Sequence, residues 1–218
     1  GLQFLNVLSG KTVSPAGNAD SYSIAAYGSR DGKYVMLTTK DPLKKYEPVD
    51  ATKPLTRENM RVIRESSLQV LDSSFNRLGA GFQDHLEVGV VRASFSPDSN
   101  QIVTLGTDGM LRQFDVQTQQ LIRSATSPEK DNVHMVSANN DTIIFGNQLG
   151  GLAVFELKTG NFIAKREQAH GESVKNVAVS PDGKLAASIG AERGFIKLWR
   201  LPKLELQVGV FRVKPYPK

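Results

Sequence analysis

The stretch AHGESVKNVAVSPDGKLAASIGAERGFIKLWRL (residues 169–201) carries the turn Ser-Pro-Asp between two runs of alternating apolar residues. A second stretch, FSPDSNQIVTLGTDGMLRQFDV (residues 95–116), has the same tripeptide in the same setting. The two turns lie 84 residues apart, from Asp98 to Asp182. Self-similarity at a fixed spacing decides the architecture before single residues are interpreted.

Half of that distance, 42 residues, is the period of the repeat. A step of 42 from Asp98 reaches Asn140 in ANNDTIIFGNQLGGLAVFEL, which again reads as turn, strand, glycine break and strand. Upstream, the matching turn is in SRDGKYVMLTT, where Asp31 precedes Asp98 by 67 residues, one period of 42 and 25 more. The excess corresponds to residues 40–65, so the sequence predicts an insertion in that unit.

The start of the chain, GLQFLNVLSGKTV (residues 1–13), matches GLAVFELKTGNFI (residues 151–163), because both have a glycine turn between short apolar runs. Gly10 and Gly160 lie 150 residues apart, three periods of 42 and 24 more, which agrees with the same insertion. Residues 1–13 are therefore predicted to form the last two strands of a repeat whose first two strands are elsewhere.

A period near 42 with several short strands and Asp-Gly or Gly turns favours a β-propeller, in which each unit of about 40 to 45 residues forms a four-stranded antiparallel blade. Residues 169–201 resemble a WD-repeat blade in particular. They have His170 before the first strand, Ser-Pro-Asp-Gly at 180–183, Ser188 in the second strand and Trp199 at the end of the third. The resemblance therefore implies an all-β propeller.

The unit before it matches the same pattern in part. It keeps His85, Thr104 and Asp108 but has Phe114 in place of the tryptophan. Departures from the pattern in the last unit are Ala169, Glu192 and Arg200. In the family the His, Ser or Thr, Asp and Trp form a hydrogen-bonded chain within a blade, and such satisfied buried polar groups fix a strand arrangement. The resemblance implies a structural role for His85, Thr104, Asp108, His170, Ser188 and Trp199.

The repeats predict about four and a half blades in a single propeller domain: a split blade at 1–13, then blades at 20–80, 86–126, 130–168 and 170–213. Propellers close with four to eight blades, which removes exposed sheet edges. The last blade already has its own third and fourth strands, so it cannot complete residues 1–13. We therefore expect the C-terminal portion of a longer, seven-bladed propeller whose remaining blades come from an N-terminal segment or a second chain.

The composition, with 39% hydrophobic and 22% charged residues, is that of a soluble globular fold. No apolar run approaches the roughly 18 residues needed to span a bilayer. Zero Cys excludes disulfides, thiol catalysis and cysteine-ligated metals, and leaves the compartment open, with the cytosol favoured over a bacterial periplasm. The net charge of +5 is spread along the chain without a basic stripe, so it does not indicate nucleic-acid binding.

The sequence contains no recognised catalytic or cofactor-binding motif. GAGFQD (residues 79–84) begins like a dinucleotide loop, but Asp84 stands where the third glycine belongs. His85, His134 and His170 are separated by 49 and 36 residues, which places them in different blades rather than around one metal. No catalytic residue, cofactor or metal ligand is predicted.

The insertion at 40–65 lies between the second and third strands of its blade. In the propeller family such loops reach the face that commonly meets partners. Pro42, Pro48 and Pro54 predict an irregular first part, and TRENMRVIRESS predicts a short helix with Thr56 as its N-cap. A lid packed on its own blade, a partner-docking element and a disordered loop are the three interpretations left open.

The preferred hypothesis is a non-catalytic scaffold, similar to WD-repeat proteins, that binds a protein or peptide through this face. The residues predicted to bind the partner are Lys44, Lys45, Tyr46, Arg57, Met60, Arg61, Arg64, Gln83, Asp84, Glu129 and Lys130. The alternative is a propeller belonging to an enzyme, either as an accessory domain or with a channel-facing metal or cofactor as in lactonase-like and dehydrogenase propellers. Fold analogy does not choose between them.

Overall fold

The computed structural model describes residues 4–5, 12–13, 24–39, 43–50, 52–53, 56, 59–79, 81–85, 87–128, 134–137, 139–191, 195–207 and 211–212. Within these ranges the chain forms β-strands joined by turns, with a 3₁₀ turn at Gln83–His85. None of the described helical turns has the length and apolar content needed to cross a bilayer.

The first half of the chain contains the strands β1 (Phe4–Leu5), β2 (Thr12–Val13), β3 (Ile24–Gly28), β4 (Tyr34–Thr39), β5 (Leu43–Pro48), β6 (Met60–Glu65), β7 (Leu68–Asp72), β8 (Val90–Phe95), β9 (Gln101–Gly106) and β10 (Met110–Asp115). The second half contains β11 (Leu121–Thr126), β12 (His134–Ser137), β13 (Thr142–Gly146), β14 (Leu152–Glu156), β15 (Asn161–Arg166), β16 (Val174–Val179), β17 (Leu185–Gly190), β18 (Phe195–Arg200), β19 (Glu205–Leu206) and β20 (Phe211–Arg212).

These strands form four larger antiparallel sheets in chain order. The first sheet is β3-β4-β7, the second is β8 to β11, the third is β12 to β15, and the fourth is β16 to β19 with β20 also paired to β18. In the first sheet an isolated bridge between Leu71 and Arg77 follows β7. Strands β1 and β2 pair with each other, as do β5 and β6. Each of the last three sheets therefore has the strand order of a meander.

In the second and third sheets, middle strands are buried and the fourth strands are not. Five of the six residues of β9 are buried, and all five residues of β13 are. In contrast, β11 and β15 contain only exposed or half-buried residues. A strand covered on both faces needs apolar side chains at consecutive positions, whereas an outer strand does not. The burial pattern therefore indicates sheets stacked face to face, with β11, β15 and β19 at the periphery.

Three apolar clusters fill the spaces between successive sheets. The first and second sheets share a cluster that contains Met36, Val70, Phe82, Ile102 and Phe114. The second and third sheets share one that contains Val103, Leu105, Leu111, Phe145 and Phe155, and the third and fourth share one that contains Ile144, Val154, Val177, Ala186 and Trp199. The second and third sheets thus each use one face for the preceding sheet and the other for the following one.

The insertion is a β-hairpin, so the predicted irregular segment and helix are wrong. β5 pairs with β6 in a continuous register from Leu43 opposite Glu65 to Pro48 opposite Met60. The β-branched residues of β6 favour a strand, and a proline is tolerated at the end of an isolated hairpin strand because no neighbour needs its missing N–H. The hairpin follows β4 and precedes β7, and these two strands pair with each other.

The hairpin loop explains why no helix begins at Thr56. Asn59 Nδ2 donates to the Asp50 carbonyl at 2.9 Å, and its Oδ1 accepts from the Asp50 amide at 2.9 Å. Asn59 therefore closes the loop between the two strands instead of occupying the first turn of a helix.

Candidate functional site

The fourth sheet contains a buried polar network. His170 Nε2 lies 2.7 Å from Ser188 Oγ, and Trp199 Nε1 donates to the same oxygen at 2.8 Å. All three residues are no more than 3% exposed. Ser188 thus satisfies two ring nitrogens at once, and the network holds β17 and β18 to the loop before β16.

The second sheet contains a shorter version of this network. His85 Nε2 lies 2.9 Å from Thr104 Oγ1, and His85 Nδ1 lies 3.2 Å from the Val88 carbonyl oxygen. Phe114 takes the place of the tryptophan, with its ring centroid 5.5 Å from that of His85. The side chain contributes packing but no hydrogen bond.

Asp108 lies in the turn after β9, but the predicted chain does not continue through it. Its carboxylate accepts from Arg112 at 3.0 Å and 2.5 Å and from the Met110 amide at 3.1 Å. An arginine fork matches a carboxylate in two bonds, so Arg112 competes with His85 for this partner. The ion pair fixes the turn instead of extending the histidine network.

The buried histidines favour their neutral form. Burial lowers the pKa of His85 from 6.5 to about 4, and the nearby Arg112 charge acts in the same direction, while the Val88 carbonyl opposes it. Burial also lowers the pKa of His170, assisted by the positive charge of Lys197. Both rings have hydrogen-bond partners and are buried, so their arrangement suits a structural role.

We expect stability to fall on acidification because of His85. Its folded pKa lies below its unfolded value, so between pH 6.5 and about 4 the unfolded chain binds a proton that the folded chain does not. The free energy of unfolding should fall by on the order of 3 kcal/mol over that interval, with His170 adding in the same direction. Urea titrations at pH 7, 5.5 and 4.5 measure it.

The variant His85→Gln serves as the control for this pH dependence. It keeps a polar side chain at the site but does not titrate, so its stability should change less with pH over the same interval. Identical pH dependence in the two proteins would show that His85 is not responsible.

The turns between the first and second strands of the sheets lie at the end of the strands opposite to the histidines. They have a common hydrogen-bond pattern. We call them the first turn (residues 29–33), the second turn (96–100), the third turn (139–141) and the fourth turn (180–184). In the first, second and fourth turns a serine hydroxyl donates to the aspartate two residues later, at 2.7, 2.5 and 2.6 Å. The same carboxylate accepts the backbone amide two residues further on, at 3.1 Å in each case. These bonds make the three turns equivalent in shape.

The third turn is shorter and lacks the serine. Its Asp141 amide donates to Asn139 Oδ1 at 2.8 Å, and β13 begins directly after it. The second and fourth turns stand on either side, so a groove of about 530 Å³ lies over the third turn. It is lined by Pro97, Asp98, Asn139, Asn140, Asp141, Thr142, Glu156, Pro181, Asp182 and Gly183.

Carboxylates dominate the polar lining of this groove. Asp98 Oδ2 accepts from Asn140 Nδ2 at 3.0 Å, which ties the second turn to the third, and Asp141 pairs with Arg123 at 2.8 Å. Burial opposes ionisation of Asp98, but bonds from Ser96 and Asn140 leave its pKa below the usual value. The Ser180 hydroxyl similarly lowers the pKa of Asp182. Both groups are therefore charged at neutral pH.

Neighbouring turns also contact one another. The Asp31 amide of the first turn donates to Ser99 Oγ of the second at 3.3 Å. Arg30 of the first turn donates to the Val179 and Ser180 carbonyl oxygens at 2.8 Å and 3.3 Å, at the start of the fourth turn. The Ser29 hydroxyl lowers the pKa of Asp31 to about 2, so this turn carries a charged carboxylate, which pairs with Lys33 Nζ at 3.2 Å.

The predicted partner-binding residues that the structure describes lie at the other end of the sheets from the groove. Lys44, Lys45 and Tyr46 are in β5, and Met60, Arg61 and Arg64 are in β6. Gln83 and Asp84 are exposed in the 3₁₀ turn between the first and second sheets. Arg57, Glu129 and Lys130 lie outside the described residues. The end of the hairpin lies beside the 3₁₀ turn, because Ser66 Oγ donates to the Phe82 carbonyl at 2.9 Å and the Ser67 amide donates to the His85 carbonyl at 2.8 Å.

Sequence reasoning did not find the groove. Its signal was the third copy of the turn, where Ala138, Asn139 and Asn140 replace Ser-Pro-Asp. The change in the third turn was visible in the sequence, but the groove also depends on the position of the turns in the two flanking sheets. Among the described residues, no three His, Asp or Glu side chains lie close enough together to hold a metal ion.

Two segments of the chain match a known family of repeats, and each contains one of the histidine networks. The model of the WD domain, G-beta repeat, matches residues 76–115 and 161–200, which contain the two histidine networks. Periodic tryptophan protein 2 of Saccharomyces cerevisiae is 32% identical over 109 residues, which cover 49% of this chain and 12% of the yeast protein.

Two solved structures share the fold at low sequence identity. A chain in the crystal structure of the mitotic checkpoint complex is 16% identical, with a TM-score of 0.63 over 93% of this chain and 57% of its own length. The RRP9 WD40 repeats are 13% identical, with a TM-score of 0.59 over 89% of this chain and 52% of theirs. The chain thus spans just over half of these structures. Residues 76–115 and 161–200 are therefore WD repeats, and the chain has the stacked-sheet fold of a WD-repeat β-propeller.

Proposed function

We propose that the chain is a non-catalytic scaffold that binds a protein partner through the hairpin β5-β6 and the neighbouring 3₁₀ turn. WD-repeat propellers are typically protein-interaction scaffolds and generally lack enzymatic activity. The observation that carries the proposal for this chain is the hairpin itself, which interrupts the first sheet and pairs with no other described strand.

A two-stranded hairpin has too little apolar surface to be stable alone in water. In the strand register Lys44 lies opposite Arg64, and Glu47 lies opposite Arg61. The two strands together contain four basic residues and two acidic ones, a net charge of +2 that acidic groups of a partner would complement. The hairpin therefore fits a docking element for an acidic surface of another protein.

The buried polar residues support the scaffold rather than a reactive site. His85 and His170 have hydrogen-bond partners within the sheets, and the pKa values of both are lowered mainly by burial. Because these histidines hold strands together, we assign recognition of the partner to exposed loops, which commonly carry binding residues.

The test compares two triple variants with equal loss of charge. The variant Arg57→Ala, Arg61→Ala, Arg64→Ala changes the insertion. The control Lys158→Ala, Lys184→Ala, Lys203→Ala removes three exposed lysines from turns at the opposite edge. In quantitative affinity purification from the source cells, we expect a defined set of proteins to be lost with the insertion variant and kept with the control.

For a docking element that is not needed for folding, we expect both variants to melt within about 2 °C of the wild-type protein. Equal recovery of the same proteins with both variants would remove the insertion as the docking element. A matched fall in melting temperature and recovery for the insertion variant would instead indicate a lid needed for folding.

A further inference from the structure

The first turn contacts both walls of the groove. One wall is the second turn, where Ser99 Oγ accepts the Asp31 amide at 3.3 Å. The other wall is the fourth turn, where the Val179 and Ser180 carbonyl oxygens accept from Arg30 at 2.8 Å and 3.3 Å. Adjacent residues of one short turn thus reach two structures on opposite sides of the groove.

The two contacts differ in what else supports them. The first and second sheets share an apolar cluster that contains Met36, Phe82 and Phe114, so the second turn is also held by packing. No strand pairing joins the first and fourth sheets in the described part of the chain. The contact between the first and fourth turns therefore depends on the hydrogen bonds of Arg30, which reach residues 149 and 150 positions later in the chain. The contact between the first and second turns has apolar packing in addition.

The fourth turn begins where Arg30 binds. Ser180 is followed directly by Pro181, Asp182 and Gly183, which line the groove. Ser180 also anchors that turn internally, because its hydroxyl donates to Asp182 and accepts the Leu185 amide at 3.0 Å. Ser180 therefore connects Arg30 to the residues that line this wall.

We propose that the first turn is a strap that sets the width of the groove, with Arg30 as the residue that holds the fourth-turn wall. The two terminal nitrogens of the guanidinium donate to two carbonyl oxygens, and a lysine offers one nitrogen in place of this fixed fork. With Arg30 bound, the groove is held at one width. With Arg30 released, the fourth-turn wall moves relative to the second-turn wall.

Spin labels on the two walls test this. The chain contains no cysteine, so Asn100→Cys and Lys184→Cys introduce a unique pair of labels, one on each wall. In double electron–electron resonance the otherwise unchanged protein should give one narrow distance distribution. Arg30→Ala should broaden it and shift it to longer distance, and Arg30→Lys should give an intermediate result.

A second label pair, Asn100→Cys with Lys158→Cys, is the control. It joins the second-turn wall to the third sheet, which are held by the Asp98–Asn140 bond and by a shared apolar cluster. This distribution should not change in Arg30→Ala. An unchanged distribution between the two walls would overturn the proposal. Equal broadening of both pairs would also overturn it, because Arg30 would then support the sheets in general and not the width of the groove.

Discussion

Replacing Gly150 by alanine is expected to lower the free energy of unfolding by about 3 to 5 kcal/mol, the range for severe backbone clashes. Gly150 has a φ of +85°, and a Cβ there would lie 2.2 Å from the His170 carbonyl oxygen and 2.6 Å from that of Glu172. Both are backbone atoms that cannot rotate away. The Gly150 carbonyl also accepts the His170 amide at 2.9 Å, so relief of the clash would break the contact between the third and fourth sheets.

Gly160→Ala is the matched control for this substitution. Gly160 has a φ of +70°, but nothing lies within 4 Å of the position that a Cβ would take. Only the strain of the left-handed backbone remains, and it should cost about 1 to 2 kcal/mol. Urea unfolding of both variants measures the difference. Equal losses would mean that the third and fourth sheets are not in close contact at Gly150.

Replacing Ser188 by alanine is expected to cost about 2 to 4 kcal/mol, because each buried polar group left without a partner costs about 1 to 3 kcal/mol. The substitution removes the oxygen shared by His170 Nε2 and Trp199 Nε1, and both side chains are buried. Trp199 is the single tryptophan of the chain, so its fluorescence reports unfolding directly.

Ser188→Thr restores the hydroxyl and serves as the control. Thr104 occupies the equivalent position of the second sheet and bonds His85 in the same way. The free energy of unfolding of the threonine variant should therefore fall by about 1 kcal/mol or less, the cost of fitting one extra methyl group. The second sheet already has a threonine at this position. Equal stability of the alanine and threonine variants would show that the hydroxyl does not hold the network.

The architecture was predictable because it depends on local features that recur. A serine hydroxyl bonded to an aspartate two residues later makes the same turn wherever it occurs, so the spacing of Asp98 and Asp182 located two sheets directly. The histidine networks were predictable from the resemblance to a WD repeat, in which a histidine pairs with a hydroxyl 18 or 19 residues later. The turns need only a few adjacent residues to form, and the networks need one repeat.

The hairpin and the groove were not predictable because they depend on residues distant in sequence. Met60 and Ile63 lie three residues apart, which fits a helix, but pairing with β5 determines the strand. Asp108 matches the family pattern, yet Arg112 binds its carboxylate. The groove exists only because the short third turn lies between two longer ones, and the relative placement of turns from different sheets is not encoded in any one of them.

Ser99 has a consequence for how repeats find their correct neighbours. It has a φ of +63°, at a turn position where the first and fourth turns have Gly32 and Gly183. A chain of similar repeats is prone to assembling in the wrong order, because one repeat can replace another in a partly folded state. Glycine cannot accept a hydrogen bond through a side chain, so the second turn differs from those two in being able to bind the Asp31 amide. The contact between the first and second turns therefore depends on a side chain that the first and fourth turns do not have at this position.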